Sequence, residues 1–301
     1  MATEAVGVLG TELEQALRPR RPFSHVLWTI VRQNPLGVIG FVLIVILLVV
    51  AIFAPIIAPY AVGELQTAGL KADPTWGHLF GTDHLGRDMF SRVIYGARIS
   101  LMVGFISVGV GTGIALVLGI VSGYSGGAID NVIQRTVDTA IAFPGLLLLL
   151  ILAQVLGPSM QTVIIAVGIF IIFPVTRVVR GAVLSERNNQ YVEAARALGA
   201  STPRILLYHI APNVTALAII IATTLLGTAI LAEASLSFLG LGIPVPNPSW
   251  GTDVSQAREH LPLHIWWAFF PGLAITLTVL GFNLLGDSLR DIFDPRLRGR
   301  L

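Results

Sequence analysis

Few residues in this chain of 301 could do chemistry. Gly123-Tyr124-Ser125-Gly126-Gly127 has the G-x-S-x-G spacing of a hydrolase nucleophile elbow, in which the serine sits on a sharp turn between a strand and a helix. No strand pattern precedes it here, so the segment reads as a turn after a helix. His260 and His264 have the i, i+4 spacing of two metal ligands, but Pro262 interrupts the helix on which they would converge. Transport of a metal is therefore one reading of the pair, and a proline-broken loop the other. Cysteine is absent, which excludes disulfides and thiolate metal sites. The one lysine, Lys71, lies outside any GxxxxGK[ST] loop, so ATP hydrolysis must belong to a partner. Two carboxylates stand in or beside apolar runs. Glu233, in AEASLSFLGLG, would cost about 2.5–3.5 kcal/mol facing lipid, so it must face the protein interior or a cavity. A structural hydrogen bond and a gate or pathway role are both open to it. Asp138 sits one turn from Arg135 and can pair with it, a substrate contact being the alternative.

The elements that must carry these residues follow from composition. The chain is 54% hydrophobic and only 12% charged, where roughly 25% charged is ordinary for soluble domains. It is therefore expected to be an all-α membrane protein. Residues 36–58 run 23 positions without a charge, enough to cross a bilayer core of about 30 Å. They read as an uncleaved first span behind a polar segment, 1–35, ending in Arg18, Arg20, Arg21 and Arg32. Residues 59–98 form a loop with a short amphipathic piece. Further spans are expected at 99–121, at 139–157 with a kink at Pro144, at 160–184 with Pro174 inside, at 214–241 and at 265–286. Gly109-x3-Gly113 and Gly119-x3-Gly123 place small residues on one face of the second span, suited to close helix packing. The loop before the last span is dense in proline and cannot be helical throughout. Trp266 and Trp267 open the last span at an interface, as amphipathic rings prefer.

Between the fourth and fifth apolar runs lies a polar island, YVEAARALGASTPRILLYHIAP, residues 191–212. Tyr191, Ala194, Ala195 and Leu198 make one apolar stripe on a short helix. Gly199 stops that helix as a residue free to take the left-handed conformation. Ser201 or Thr202 with Pro203 then opens a second short helix through Arg204, Ile205 and Leu206. Six spans put both termini and the island on one side. Of the 19 Lys and Arg residues, 14 fall on that side, so the positive-inside rule makes it cytoplasmic.

Glu193-Ala194-Ala195, Gly199 after three residues and then Pro212 resemble the EAA loop of ABC importer permeases, the element that docks onto the ATPase subunit. His209 and Ala211 depart from the general motif, but His209-Ile210-Ala211-Pro212-Asn213 is similar to the HIxPN of the peptide-permease subgroup. Asn34-Pro35-Leu36-Gly37, Gly81-Thr82-Asp83, Gly86-Arg87-Asp88, Ser91-Arg92 and Tyr95-Gly96-Ala97-Arg98 resemble the same subgroup. So do Leu236-Ser237-Phe238-Leu239-Gly240, Pro248-Ser249-Trp250-Gly251, Gly286-Asp287-Ser288-Leu289-Arg290-Asp291 and Asp294-Pro295-Arg296. On these motifs the chain is identified as a member of the dipeptide/oligopeptide (peptide/nickel) permeases, as a second permease subunit.

The resemblance implies a type I ABC importer permease (MetI-like) fold with six transmembrane helices and cytoplasmic coupling helices. Its regions would be a cytoplasmic segment 1–35, a first transmembrane helix 36–58, an extracytoplasmic loop 59–98, a five-helix core 99–286 holding the EAA loop 185–213, and a cytoplasmic tail 287–301. It implies partners too: a homologous permease subunit in a heterodimer, two ABC ATPases that bind ATP and Mg, an extracytoplasmic substrate-binding protein and membrane lipid, with no nucleic acid. No cofactor and no catalytic residue would lie in this chain, which would sit in a prokaryotic cytoplasmic membrane with both termini inside. Glu193, Ala194, Ala195, Gly199 and Pro212 would couple to the ATPases, and Glu233 and Asp138 are candidates for the pathway or its gate. Relatives of this kind carry peptides, glutathione or nickel. Two other classes stand beside this one. A secondary transporter would need a midplane relay, often with inverted repeats, and an intramembrane hydrolase would use Ser125.

Overall fold

The computed structural model describes residues 34–65, 69–261 and 263–293. Arg18, Arg20, Arg21 and Arg32, Pro262 and the Asp294-Pro295-Arg296 end of the tail lie outside the described residues. Helix α1 (Pro35–Ile52) starts on a proline, whose missing N–H costs nothing in the first turn, and α2 (Ala54–Ile57) prolongs it after a break at Phe53. Then follow α3 (Met89–Ser125), α4 (Gly127–Ala142), α5 (Gly145–Leu156), α6 (Met160–Arg187) and α7 (Gln190–Ala197). A four-residue helix, α8 (Thr202–Ile205), leads into α9 (Ala211–Phe238), and α10 (Trp250–Ala257) and α11 (Trp266–Phe293) are the last helices among the described residues. Among the described residues five helices are long and apolar enough to cross a membrane, or six if the bent pair α4 and α5 counts as one span.

That pair departs from the expected third span. Its two helices meet at 94°. Pro144 offers no N–H and bars the α conformation to the residue before it, and Phe143 is accordingly extended at ψ 135°. Asp138 does not pair with Arg135. It meets Arg177 of α6 instead, while Asp130 accepts from Arg180 at 2.5 and 2.6 Å. Both carboxylates of α4 thus reach across to the neighbouring helix, whose arginines fall one turn apart.

The second span is longer than expected. Asp88 accepts from Ser91 N at 2.7 Å and caps α3 at Met89, ten residues before the charge-free run, so that 89–98 is helix rather than loop. At 37 residues α3 reaches roughly 55 Å and outruns the bilayer core. It crosses α6 on glycines. A Cβ on Gly119 would stand 2.4 Å from Val179, and one on Gly123 2.8 Å from Val183. Gly111 lies against the Gly168 carbonyl, whereas Gly109 and Gly113 face open space. Among the described residues only the second of the two small-residue pairs therefore packs. Helix α1 lies along α11, with Gly40 against Gly281 and Leu284. The core between these helices is aliphatic: Val103, Val163, Ile171, Val179, Ile230 and Leu236 are buried.

Candidate functional site

At one end of the bundle α6 delivers the chain into α7. Gly199 has φ +79°, and around it Ala200 N bonds Ala195 O and Gly199 N bonds Arg196 O, both at 3.0 Å. This is a Schellman closure, and only a residue without a Cβ takes that φ at no cost. Val192, fully buried, fastens α7 to the bundle. The stripe expected from spacing does not pack inward. Leu198 is 89% exposed, and Tyr191 and Ala194 are exposed as well. The second short helix is not separate. It runs through a π turn, Leu206–Ile210, straight into α9, with Ala211 N bonded to Leu206 O. The wider turn falls just ahead of Pro212, which has no N–H to give a regular helix. Ser201 holds the N-cap position, without a side-chain cap bond.

A polar lock stiffens this corner. The Tyr191 hydroxyl meets the Glu186 carboxylate and accepts from Asn213 Nδ2 at 3.0 Å, and Asn213 also donates to His209 O at 3.2 Å. Burial, and then the Glu186 carboxylate, push the Tyr191 hydroxyl above its ordinary range, so it remains a donor. Outside the lock a groove of about 640 Å³ runs past Pro203, Arg204, Leu207, Tyr208 and His209. Leu207 and Tyr208 are 66% and 74% exposed. Glu193 is exposed in the first turn of α7, and its side chain makes no hydrogen bond among the described residues. The corner thus presents apolar side chains on a rigid frame at the junction of two spanning helices.

The opposite end is closed by a knot of buried charges. Asp83 accepts from the backbone of Leu85 and Arg87 at 2.8 and 2.9 Å, and from Arg87 Nε at 2.5 Å. Arg87 reaches on to Gln256 at 3.0 Å. His78 Nδ1 lies 2.9 Å from Asp88, the residue that caps α3. Arg92 Nε donates to Asp253 Oδ1 at 2.8 Å, and both side chains are 1% exposed. This pair joins α3 to α10. Trp250 wedges against Gly96 and donates to Val93 O at 2.9 Å, while Ser249 caps α10 by accepting from Thr252 N at 3.2 Å. Beneath α10, Glu233 is fully buried. It accepts from Ser237 at 2.9 Å and from Ser100 at 3.2 Å, so its carboxylate ties α9 to α3. An apolar cavity of about 400 Å³ lies beside it, lined by Leu146, Ala234, Ser235, Phe238, Leu239, Gly251, Val254 and Ile275. Neither Glu233 nor Asp138 lines that cavity.

The family described as "Binding-protein-dependent transport system inner membrane component" matches residues 115–299, a stretch that includes the whole exposed corner. The chain belongs to this family. The N-terminal TM domain of oligopeptide transport permease C matches residues 23–71. The dipeptide transport system permease protein DppC of Alkalihalophilus pseudofirmus is 41% identical over 89% of this chain and 88% of its own length. The glutathione transport system permease protein GsiD of Escherichia coli is 44% identical over 91% of each, as is that of Shigella sonnei. The protein is therefore an ABC transporter permease, a multi-pass inner-membrane component whose binding-protein-dependent transport implies an ATPase and a substrate-binding protein.

The permease brings Glu193, Ala194, Ala195, Gly199 and Pro212 together at one corner and puts Glu233 at the far end of α9. Asp138 stands apart, half-exposed in its pair with Arg177. Ser125 closes α3, and Gly126 and Gly127 at φ +65° and +57° make a joint between helices, not a strand-to-helix elbow. No three His, Asp or Glu side chains among the described residues converge as metal ligands. The pairing of Arg92 with Asp253 was not read from sequence. A charge at the mouth of an apolar helix demands a partner, but the partner lies 161 residues away. Helix α10 was hidden in the proline-dense loop, although Ser249 three residues before Thr252 is a capping signal.

Proposed function

We propose that this permease pairs with a homologous permease subunit to form a path for short peptides, driven by two cytoplasmic ATPases that dock on its loop 185–213. The exposed apolar edge of Leu198, Leu207 and Tyr208 on a stiffened corner carries the reading. Holding such side chains in water is unfavourable unless a partner covers them. Ala194 and Ala195 let that partner approach the backbone, Glu193 meets a basic group on it, Gly199 sets the angle between α7 and α8, and Pro212 fixes the start of α9. Because ATP can favour one arrangement only through differential affinity for the two states, the corner must contact the ATPase differently in each. Relatives named for dipeptide and glutathione transport support a small peptide as cargo. ATP and Mg bind to the ATPases, and this chain performs no covalent step.

In the same reading residues 1–35 and 287–301 are cytoplasmic, 59–98 is extracytoplasmic, and 99–286 is the permease core in a prokaryotic cytoplasmic membrane. Glu233 acts at the outer gate by holding α9 against α3 beneath α10, and Asp138 steadies the bend between α4 and α5 through Arg177. The test is ATP hydrolysis and uptake by the reconstituted complex, with and without loaded binding protein. Valine at position 199 would be strained by roughly 1–2 kcal/mol. Gly199→Val, and more mildly Glu193→Ala, are expected to lower stimulation by loaded binding protein and uptake while the permease still inserts. Wild-type stimulation and uptake in Gly199→Val would show that this corner is not the coupling element.

A further inference from the structure

The turn Thr75–His78 is stiff, yet its tip holds a large apolar ring in the open. Thr75 N bonds His78 O at 2.9 Å and His78 N bonds Thr75 O at 3.1 Å, closing the turn in both directions. His78 is buried, anchored 2.9 Å from Asp88 and stacked on Tyr60 with ring centroids 4.9 Å apart. The Tyr60 hydroxyl donates to Gly77 O at 3.4 Å. Trp76, held on this base, is 97% exposed, whereas Trp250 and Trp267 are buried. A rigid mount for a side chain that would gain from leaving water implies a surface that receives it.

The surroundings identify that surface. Ile39, Val42, Ile46, Val49, Phe53 and Ile56 recur at alternating steps of three and four, and all are exposed. They form the outward stripe of α1 and α2; only 22% of the apolar window of α1 is buried, and a stripe of this composition suits contact with lipid. The helix ends at Ile57, the chain turns extended at Ala58, and Tyr60, two residues on, is the residue that grips Gly77. From Pro35 to Ile57 the helices rise about 34 Å, against roughly 30 Å of hydrocarbon, which puts Tyr60 and the turn just past the acyl boundary. Tryptophan is favoured at that depth, with its ring among acyl carbonyls and its N–H still hydrated. Residues 74–80 carry no Asp, Glu, Lys or Arg, and Leu79 beside the tip is exposed too.

We propose that Trp76 is an interfacial anchor. It enters the headgroup region of the leaflet at this end of the permease and, through the Tyr60 contact, holds the first span at a fixed depth. The chain has no cysteine, so Trp76→Cys introduces its one thiol. A nitroxide placed there, in the assembled complex in lipid nanodiscs, is expected to collide more often with oxygen, which concentrates in lipid, than with a water-soluble nickel chelate. The unsubstituted complex treated with the same label corrects for thiols of the other subunits. A second measurement needs no thiol: Trp76→Phe should remove a fluorescence component that shallow-brominated phospholipids quench and aqueous acrylamide does not. Being exposed, Trp76 can be changed to Phe without disturbing a core. A label reached mainly by the nickel chelate, or one shielded from both reagents by another subunit or the binding protein, would overturn the proposal. So would a Trp76 component quenched by acrylamide alone.

Discussion

Asp253 and Arg92 neutralise one another where neither can reach water, so the loss of one leaves the other buried and uncompensated. Removing one partner of such a pair costs about 3–5 kcal/mol, far more than the pair itself contributes. Asp253→Asn is therefore expected to lower the yield and melting temperature of the detergent-solubilised permease, and Arg92→Met added to Asp253→Asn should restore part of the loss. If the single variant melts like the wild type, the pair does not hold α10. His84 poses the milder, titratable version of the same problem. Its Nδ1 is buried without a hydrogen-bond partner among the described residues, and burial lowers its pKa from the ordinary 6.5, with Asp83 opposing and Arg87, His260 and Arg92 adding repulsion. Because the folded value lies below the unfolded one, the stability is fully present above about pH 6.5 and is lost as the pH falls through the folded value. The melting temperature is expected to drop on acidification, and less steeply in His84→Gln. Identical pH profiles for the two proteins would refute this. Isolated charges of this sort are visible in sequence as residues in need of a partner, but their partners are not.

The helices carry a different lesson, because spacing identifies which residues could pack and only the crossing angle selects those that do. Two glycine pairs on α3 have equivalent spacing, yet Gly119 and Gly123 meet α6 while Gly109 and Gly113 meet nothing among the described residues. A Cβ on Gly119 would stand 3.0 Å from the Thr176 carbonyl as well as against Val179, and a backbone atom in mid-helix cannot step aside. Gly119→Ala is thus expected to destabilise the permease by about 1–3 kcal/mol, as overpacking does. Gly113→Ala should be neutral or gain up to about 1 kcal/mol from helix propensity. Thermal unfolding of the two variants side by side decides the matter, and equal melting temperatures would mean that α3 and α6 do not meet at Gly119. The bend between α4 and α5 is a related case: Pro144 announced a kink, but a turn of 94° needs neighbours, and Arg177 and Arg180 supply them by holding α4 across α6.

For the molecule as a whole, the charge asymmetry predicts orientation. Reporters fused after Glu186 and after Arg296 are expected on the cytoplasmic side, and those after Lys71 and Val254 outside, since arginine-rich segments resist translocation. Finding Lys71 and Glu186 on the same side would defeat the six-span arrangement. Fold class, most of the apolar spans and the polar corner between two of them were legible in the chain, because each rests on local composition or on periods of three and four residues. Gly199 was legible for the same reason: a helix stop is written within a few residues, and its φ of +79° agrees. What local pattern could not reveal is which side of α7 packs. Spacing places Tyr191, Ala194, Ala195 and Leu198 on one stripe without saying what it meets; Val192 is the residue that packs inward, while Tyr191, Ala194 and Leu198 stay outside. Nor could it show that Asp83, Arg87, Arg92, Asp253 and Gln256 close one end of the bundle together. Those contacts join residues up to 169 positions apart, and only the return of the chain through α4 to α9 brings them within hydrogen-bonding distance. Sequence determines what each segment can bury or cannot leave unpaired, and tertiary structure decides which segment answers, because burial and charge pairing are satisfied in space and not along the chain.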